Sequence, residues 1–142
     1  MTPDSLFAVS GPIALAGWLA LAAGIVFDRP FLRDRVAGLL IPLLLSAAYT
    51  VLILIFWWTA DGGFGSLAEV QTLFTQGWVA LAGWVHYLAY DLFIGAFVSR
   101  QIMERKLSRL FLVPILPLTF LFGPIGFLLA QGLLLTRIGD AS

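Results

Sequence analysis

The chain has 142 residues, no cysteine and a formal net charge of zero. Disulfides, thiolate metal sites, thiol nucleophiles and charge-driven nucleic-acid binding are therefore excluded. Hydrophobic residues make up 61% and charged residues only 11%, against about a quarter charged in soluble domains. Mean hydropathy is +0.99. A soluble core of this length does not hide so much apolar surface. The natural solvent is lipid, and one domain, residues 1–142, is expected.

A membrane-spanning helix needs about 20 mainly apolar residues. Four windows qualify: Leu6–Phe27, Val36–Trp58, Gly77–Val98 and Leu110–Leu135. The first does not read as a cleavable signal peptide. Its leading "MTPDSLF" carries no Lys or Arg, and the apolar run is too long. The expected fold is an all-α integral membrane protein with four transmembrane helices. A short interfacial helix is expected between the second and third. There "DGGFG" breaks the helix, Ser66 and Glu69 form a capping box, and Leu67, Val70 and Phe74 share a face.

Basic residues mark an orientation. Arg29, Arg33 and Arg35 lie between windows one and two, and Arg100, Arg105, Lys106 and Arg109 between three and four. The loop from Thr59 to Gln76 has neither Lys nor Arg. The positive-inside rule then puts both basic loops in the cytoplasm and both termini on the other side. Trp57, Trp58 and Trp78 fall at the non-cytoplasmic interface, where an aromatic belt is expected.

Window three, "GWVHYLAYDLFIG", holds the chain's one histidine, His86, and Asp91. At ~1.5 Å per residue, His86 lies about 12 Å and Asp91 about 20 Å below Trp78. Both are near the middle of a hydrocarbon core ~30 Å thick. A charged Asp there costs at least ~2.5–3.5 kcal/mol, so it must face protein or a wet cavity. The two differ by about 140° around the helix. Tyr90, Tyr87 and Trp84 lie on the same half of it, and a ligand or another helix fits between His86 and Asp91 better than a direct bond. Plain packing is the structural alternative for the tyrosines, and two structural roles compete for His86 and Asp91. One is hydrogen bonding to Ser46, Tyr49, Thr50, Thr119 or Gln131 on other helices. The other is pairing of Asp91 with Arg100 or Arg105.

Window four is irregular, with Pro114, Pro117 and Pro124 in "VPILPLTFLFGPIG". Pro124 frees the carbonyl of Phe120, and Thr119 or a neighbouring helix must help satisfy such groups. Gly123 and Gly126 leave room for another backbone or a ligand. Other site classes fail. One histidine gives no bis-histidine haem, one deep carboxylate gives no di-iron centre, and no phosphate loop or nucleophile elbow is present. No metal and no cofactor is expected.

The two segments together resemble the ABA4-like membrane proteins. The motif W-x-H-Y-L-A-aromatic-D-L begins at Trp84, and L-T-F-L-F-G-P-x-G begins at Leu118. The similarity covers most of the chain and is typified by plant neoxanthin synthase. It implies handling of a carotenoid-like polyene. The plant reaction is a cofactor-free isomerisation in which an epoxide opens as a nearby carbon loses a proton. On that resemblance, Asp91 is the protonated acid and His86 the neutral base. Trp84, Tyr87, Tyr90, Thr119, Gly123, Pro124 and Gly126 then line the ligand site. The implied setting is a bacterial inner membrane. The alternative is a non-enzymatic, pigment-binding subunit of a larger membrane assembly, such as a photosynthetic complex or a homo-oligomer.

Overall fold

The computed structural model describes residues 2–139, with the side chains of 137–139 outside the description. Most of these residues are helical, and no strand is found among them. In chain order they form α1 (Pro3–Val26), a π-helical stretch Phe31–Leu40 running into α2 (Ile41–Phe56), a 3₁₀ turn Trp57–Thr59, α3 (Leu67–Phe74), α4 (Gly77–Glu104) and α5 (Leu112–Gly139). Four of these runs are long and apolar enough to cross a membrane: Pro3–Val26, Phe31–Thr59, Gly77–Glu104 and Arg109–Thr136. They correspond to the four windows.

The differences lie at the basic ends. Span two begins at Phe31, not Val36, and α4 continues past Val98 to Glu104. Charges interrupt hydropathy there without interrupting the helix. Arg33 is buried and satisfied: its guanidinium makes two bonds of 2.8 Å to Asp34 and reaches the Met103 sulfur at 2.9 Å. The wide winding of residues 31–40 has a local cause. Pro42 offers no N–H and its ring excludes the carbonyl four residues back. One residue earlier, the Ile41 N–H already reaches five residues back, to Val36.

α4 is the centre of the bundle, and α1, α2 and α5 all pack against it. Towards the basic end the core includes Leu21, Leu92, Val98, Ile102, Ile115 and Leu134. Towards the other end it includes Ala14, Leu45, Leu52, Leu81, Val85 and Leu88. The expected interfacial helix is α3. The Ser66 hydroxyl accepts from the Glu69 N–H at 3.2 Å, as expected of its cap. The Glu69 carboxylate answers at the Gly65 N–H, at 3.0 Å, one residue earlier than a capping box requires. Leu73 is the buried residue, while Leu67 and Phe74 are exposed. Gly62 adopts φ +97° where the loop folds back onto the α3 backbone, a conformation that favours glycine.

Candidate functional site

The middle of α4 carries two polar sites, on different faces. The first meets α5. Phe122 has non-helical angles (φ −147°, ψ 58°), so α5 breaks one residue before Gly123 and two before Pro124. The break follows from the missing N–H of Pro124, which leaves the Phe120 carbonyl without its helical donor. Tyr87 caps the break at the neighbouring carbonyl. Its hydroxyl donates to the Leu121 carbonyl at 2.6 Å and lies 3.5 Å from that of Phe120. Thr119 does not fill this role. It is fully buried and donates to the Ile115 carbonyl in its own helix, at 2.8 Å.

Asp91 is buried beside this break. Its Oδ2 has no hydrogen-bond partner among the described residues. The other oxygen packs against Gly123, where a Cβ would fall into the carboxylate. Gly126 is filled in the same way. A Cβ there would stand 2.5 Å from the Thr119 backbone nitrogen, because the bend closes on its inner side. The expectation that these two glycines leave space for a flat ligand is therefore corrected: Asp91 and Thr119 occupy it. Trp84 stacks on Tyr87 at 5.7 Å and meets Phe7 at 5.4 Å, extending an aromatic tier towards α1.

The second site meets α2. His86 is exposed, 4.6 Å from the Tyr90 ring and 5.4 Å from the Tyr49 ring. Together with Ser46, Thr50 and Ala89, these three line a cavity of about 340 Å³. A second hollow of about 200 Å³ shares Ser46, Ala89 and Tyr90 and continues along Pro42 and Phe93 towards the basic end. Thr50 donates to the Ser46 carbonyl at 2.8 Å. The Ser46, Tyr49 and Tyr90 hydroxyls and the His86 ring nitrogens have no hydrogen-bond partner among the described residues.

Of the expected site residues, Asp91, Tyr87, Trp84, Gly123 and Pro124 come together at the α5 break, with Thr119 and Gly126 inside the bend. His86 and Tyr90 stand apart from them, against α2. Among the described residues, none of the competing partners makes a hydrogen bond or ion pair with His86 or Asp91. Gln131 bonds Gln101 at 2.8 Å. Arg100 reaches Asp34 and Arg105 reaches the Leu134 carbonyl, so neither pairs with Asp91. Tyr49 meets His86 by ring contact. Its place in the site was signalled only by a polar side chain in the middle of an apolar span.

A family model for ABA DEFICIENT 4-like proteins matches residues 5–129, which include both α4 sites and the break in α5. The chain belongs to the ABA4-like family. Searches among curated proteins and among solved structures give no match. The histidine, the aspartate and the proline–glycine break of this ABA4-like chain all lie within the matched region.

Proposed function

We propose that this ABA4-like protein binds a carotenoid-like isoprenoid in the groove between α2 and α4 and isomerises its end group by acid–base chemistry. One observation carries the reading. Midway along two apolar spans, His86, Tyr49, Tyr90 and Ser46 present unpaired polar groups to one cavity, and an apolar hollow continues from it. Polar groups left unpaired in hydrocarbon are costly, and convergent polar groups in an otherwise apolar concavity are the ordinary build of a ligand site. The apolar part takes the chain of the ligand, and the polar part takes its oxygen-bearing end.

The chemistry needs no oxidant. A proton leaves carbon, the electron pair moves into the chain, a C–O bond of the epoxide breaks, and the oxygen gains a proton. His86, as the neutral imidazole, is the group in this cavity suited to take the proton. Tyr49 and Tyr90, whose rings adjoin it, are placed to supply one to the oxygen. Asp91 faces the other side of α4 and acts at the break in α5.

The test is expression of the whole chain in a carotenoid-producing host, followed by pigment extraction from purified protein and from the cells. Wild type carries a polyene and changes the host's carotenoids. His86→Gln carries it without changing it. Protein that carries no polyene and alters none removes the reading. Pigment carried unchanged by wild type leaves the binding subunit in place of the isomerase.

A further inference from the structure

We propose that Asp91 is a proton-binding site, and that its proton clasps α4 to the break in α5. The inference is independent of the α2–α4 groove. It begins from the single hydrogen of the Tyr87 hydroxyl. That hydrogen is committed to the Leu121 carbonyl at 2.6 Å. The same hydroxyl lies beside the Asp91 carboxyl. Two oxygens with no hydrogen between them repel. With a proton on Asp91, the contact becomes a chain in which Asp91 donates to Tyr87 and Tyr87 donates to Leu121. The orphaned, buried Oδ2 fits the same account, because a neutral acid is far less costly to leave incompletely solvated than a carboxylate.

No protein cation can replace the proton. α1 carries only Asp4 among charged residues, Ile41–Phe56 carries none, and Leu112–Gly139 carries only Arg137; Phe31–Leu40, which also packs on α4, carries Arg33, held by Asp34, and the exposed Arg35. On α4 itself, Arg100 is engaged by Asp34, Glu104 is anionic, and His86 faces α2. An alkali ion needs a shell of several oxygens, and Gly123 is packed directly on the carboxylate. The site has room for a proton.

The linkage reaches the backbone. When the proton leaves, the carboxylate draws the Tyr87 hydrogen to itself. The Leu121 carbonyl then loses its cap, and the break loosens. Tyr87 is thus a positioning residue that ties the charge on Asp91 to the shape of α5.

Infrared spectroscopy of the purified full chain in lipid nanodiscs tests this. At neutral pH the wild type shows the carbonyl stretch of a protonated carboxylic acid. Asp91→Asn removes that band, and Tyr87→Phe shifts it by taking away the acceptor. An acid band that survives in Asp91→Asn overturns the proposal, as does a wild type with carboxylate bands alone. If Asp91→Asn does not fold, an unshifted band in Tyr87→Phe overturns it instead. Replacing potassium by sodium leaves the band in place; loss of the band in sodium makes this an alkali-ion site and overturns the proposal. Hydrogen exchange over residues 121–126 adds the mechanical readout. On alkalinisation it rises more in wild type than in Asp91→Asn, and equal rises refute the clasp.

Discussion

Gly24, near the end of α1, lies directly against the backbone of Arg33, with no side chain between them. A Cβ at Gly24 would stand 2.6 Å from the Arg33 nitrogen and 3.0 Å from its Cα. Backbone in a helix cannot yield as a side chain can, so Gly24→Ala forces the two spans apart. The expected loss is about 1–3 kcal/mol, the usual cost of overpacking. Gly132→Ala is the matched control, with nothing within 4 Å of the added carbon. Thermal unfolding in detergent compares the two. Equal melting temperatures would show that α1 and span two are not held this closely.

The same turn carries a charge cluster whose members are not equivalent. Asp34 grips the buried Arg33 through two bonds of 2.8 Å. It meets the more exposed Arg100 at 3.4 Å. Asp34→Asn leaves Arg33 buried without its partner and should cost about 3 kcal/mol. Arg100→Gln removes a solvent-screened contact and should cost under about 1 kcal/mol. Chemical or thermal unfolding ranks them, and a larger loss for Arg100→Gln would contradict the geometry.

The four spans were legible because apolar length alone reports them. Their basic ends were not. Arg33, Asp34 and Arg35 stop a hydropathy window at Val36, while the pairing of Arg33 with Asp34 lets the helix begin at Phe31. The freed Phe120 carbonyl was readable from Pro124, since the donor is lost by covalent structure. The Tyr87 hydroxyl that caps the neighbouring Leu121 carbonyl was not, because that depends on which face of α4 meets α5. α4 is apolar nearly all round, so periodicity gives no orientation for His86 or Asp91. Only packing turned Asp91 to Gly123 and His86 to Tyr49. Likewise, Gly123 and Gly126 read as open space until the fold supplied Asp91 and Thr119 to fill it.

Orientation in the membrane follows from charge. Seven of the eight basic residues lie in the two segments at one end of the bundle. That end is expected in the cytoplasm. A reporter active only in the cytoplasm should work when inserted after Lys106 and stay silent when inserted after Gly63. The opposite pattern would reverse the orientation, and activity at both sites would contradict a four-span path.

Two neighbouring positions on α2 separate the proposed groove from an ordinary lipid-filled cleft. Ser46 lines both the His86 cavity and the hollow that continues from it. Its hydroxyl makes no hydrogen bond among the described residues, so Ser46→Leu breaks no bond while it fills the junction of the two. Ala48 points to another side of the same helix, into an apolar cleft of about 440 Å³ between α1 and α2. Ala48→Leu adds three carbons there and serves as the control. Blocking a ligand's seat by about 1.4 kcal/mol or more lowers affinity at least about tenfold. Ser46→Leu should therefore purify with about a tenth of the wild-type polyene or less, while Ala48→Leu keeps the wild-type amount. Melting temperatures of both variants, measured on the same preparations, guard against loss by unfolding. Pigment lost from Ala48→Leu and kept by Ser46→Leu would move the ligand to the α1–α2 cleft and detach His86 from the chemistry.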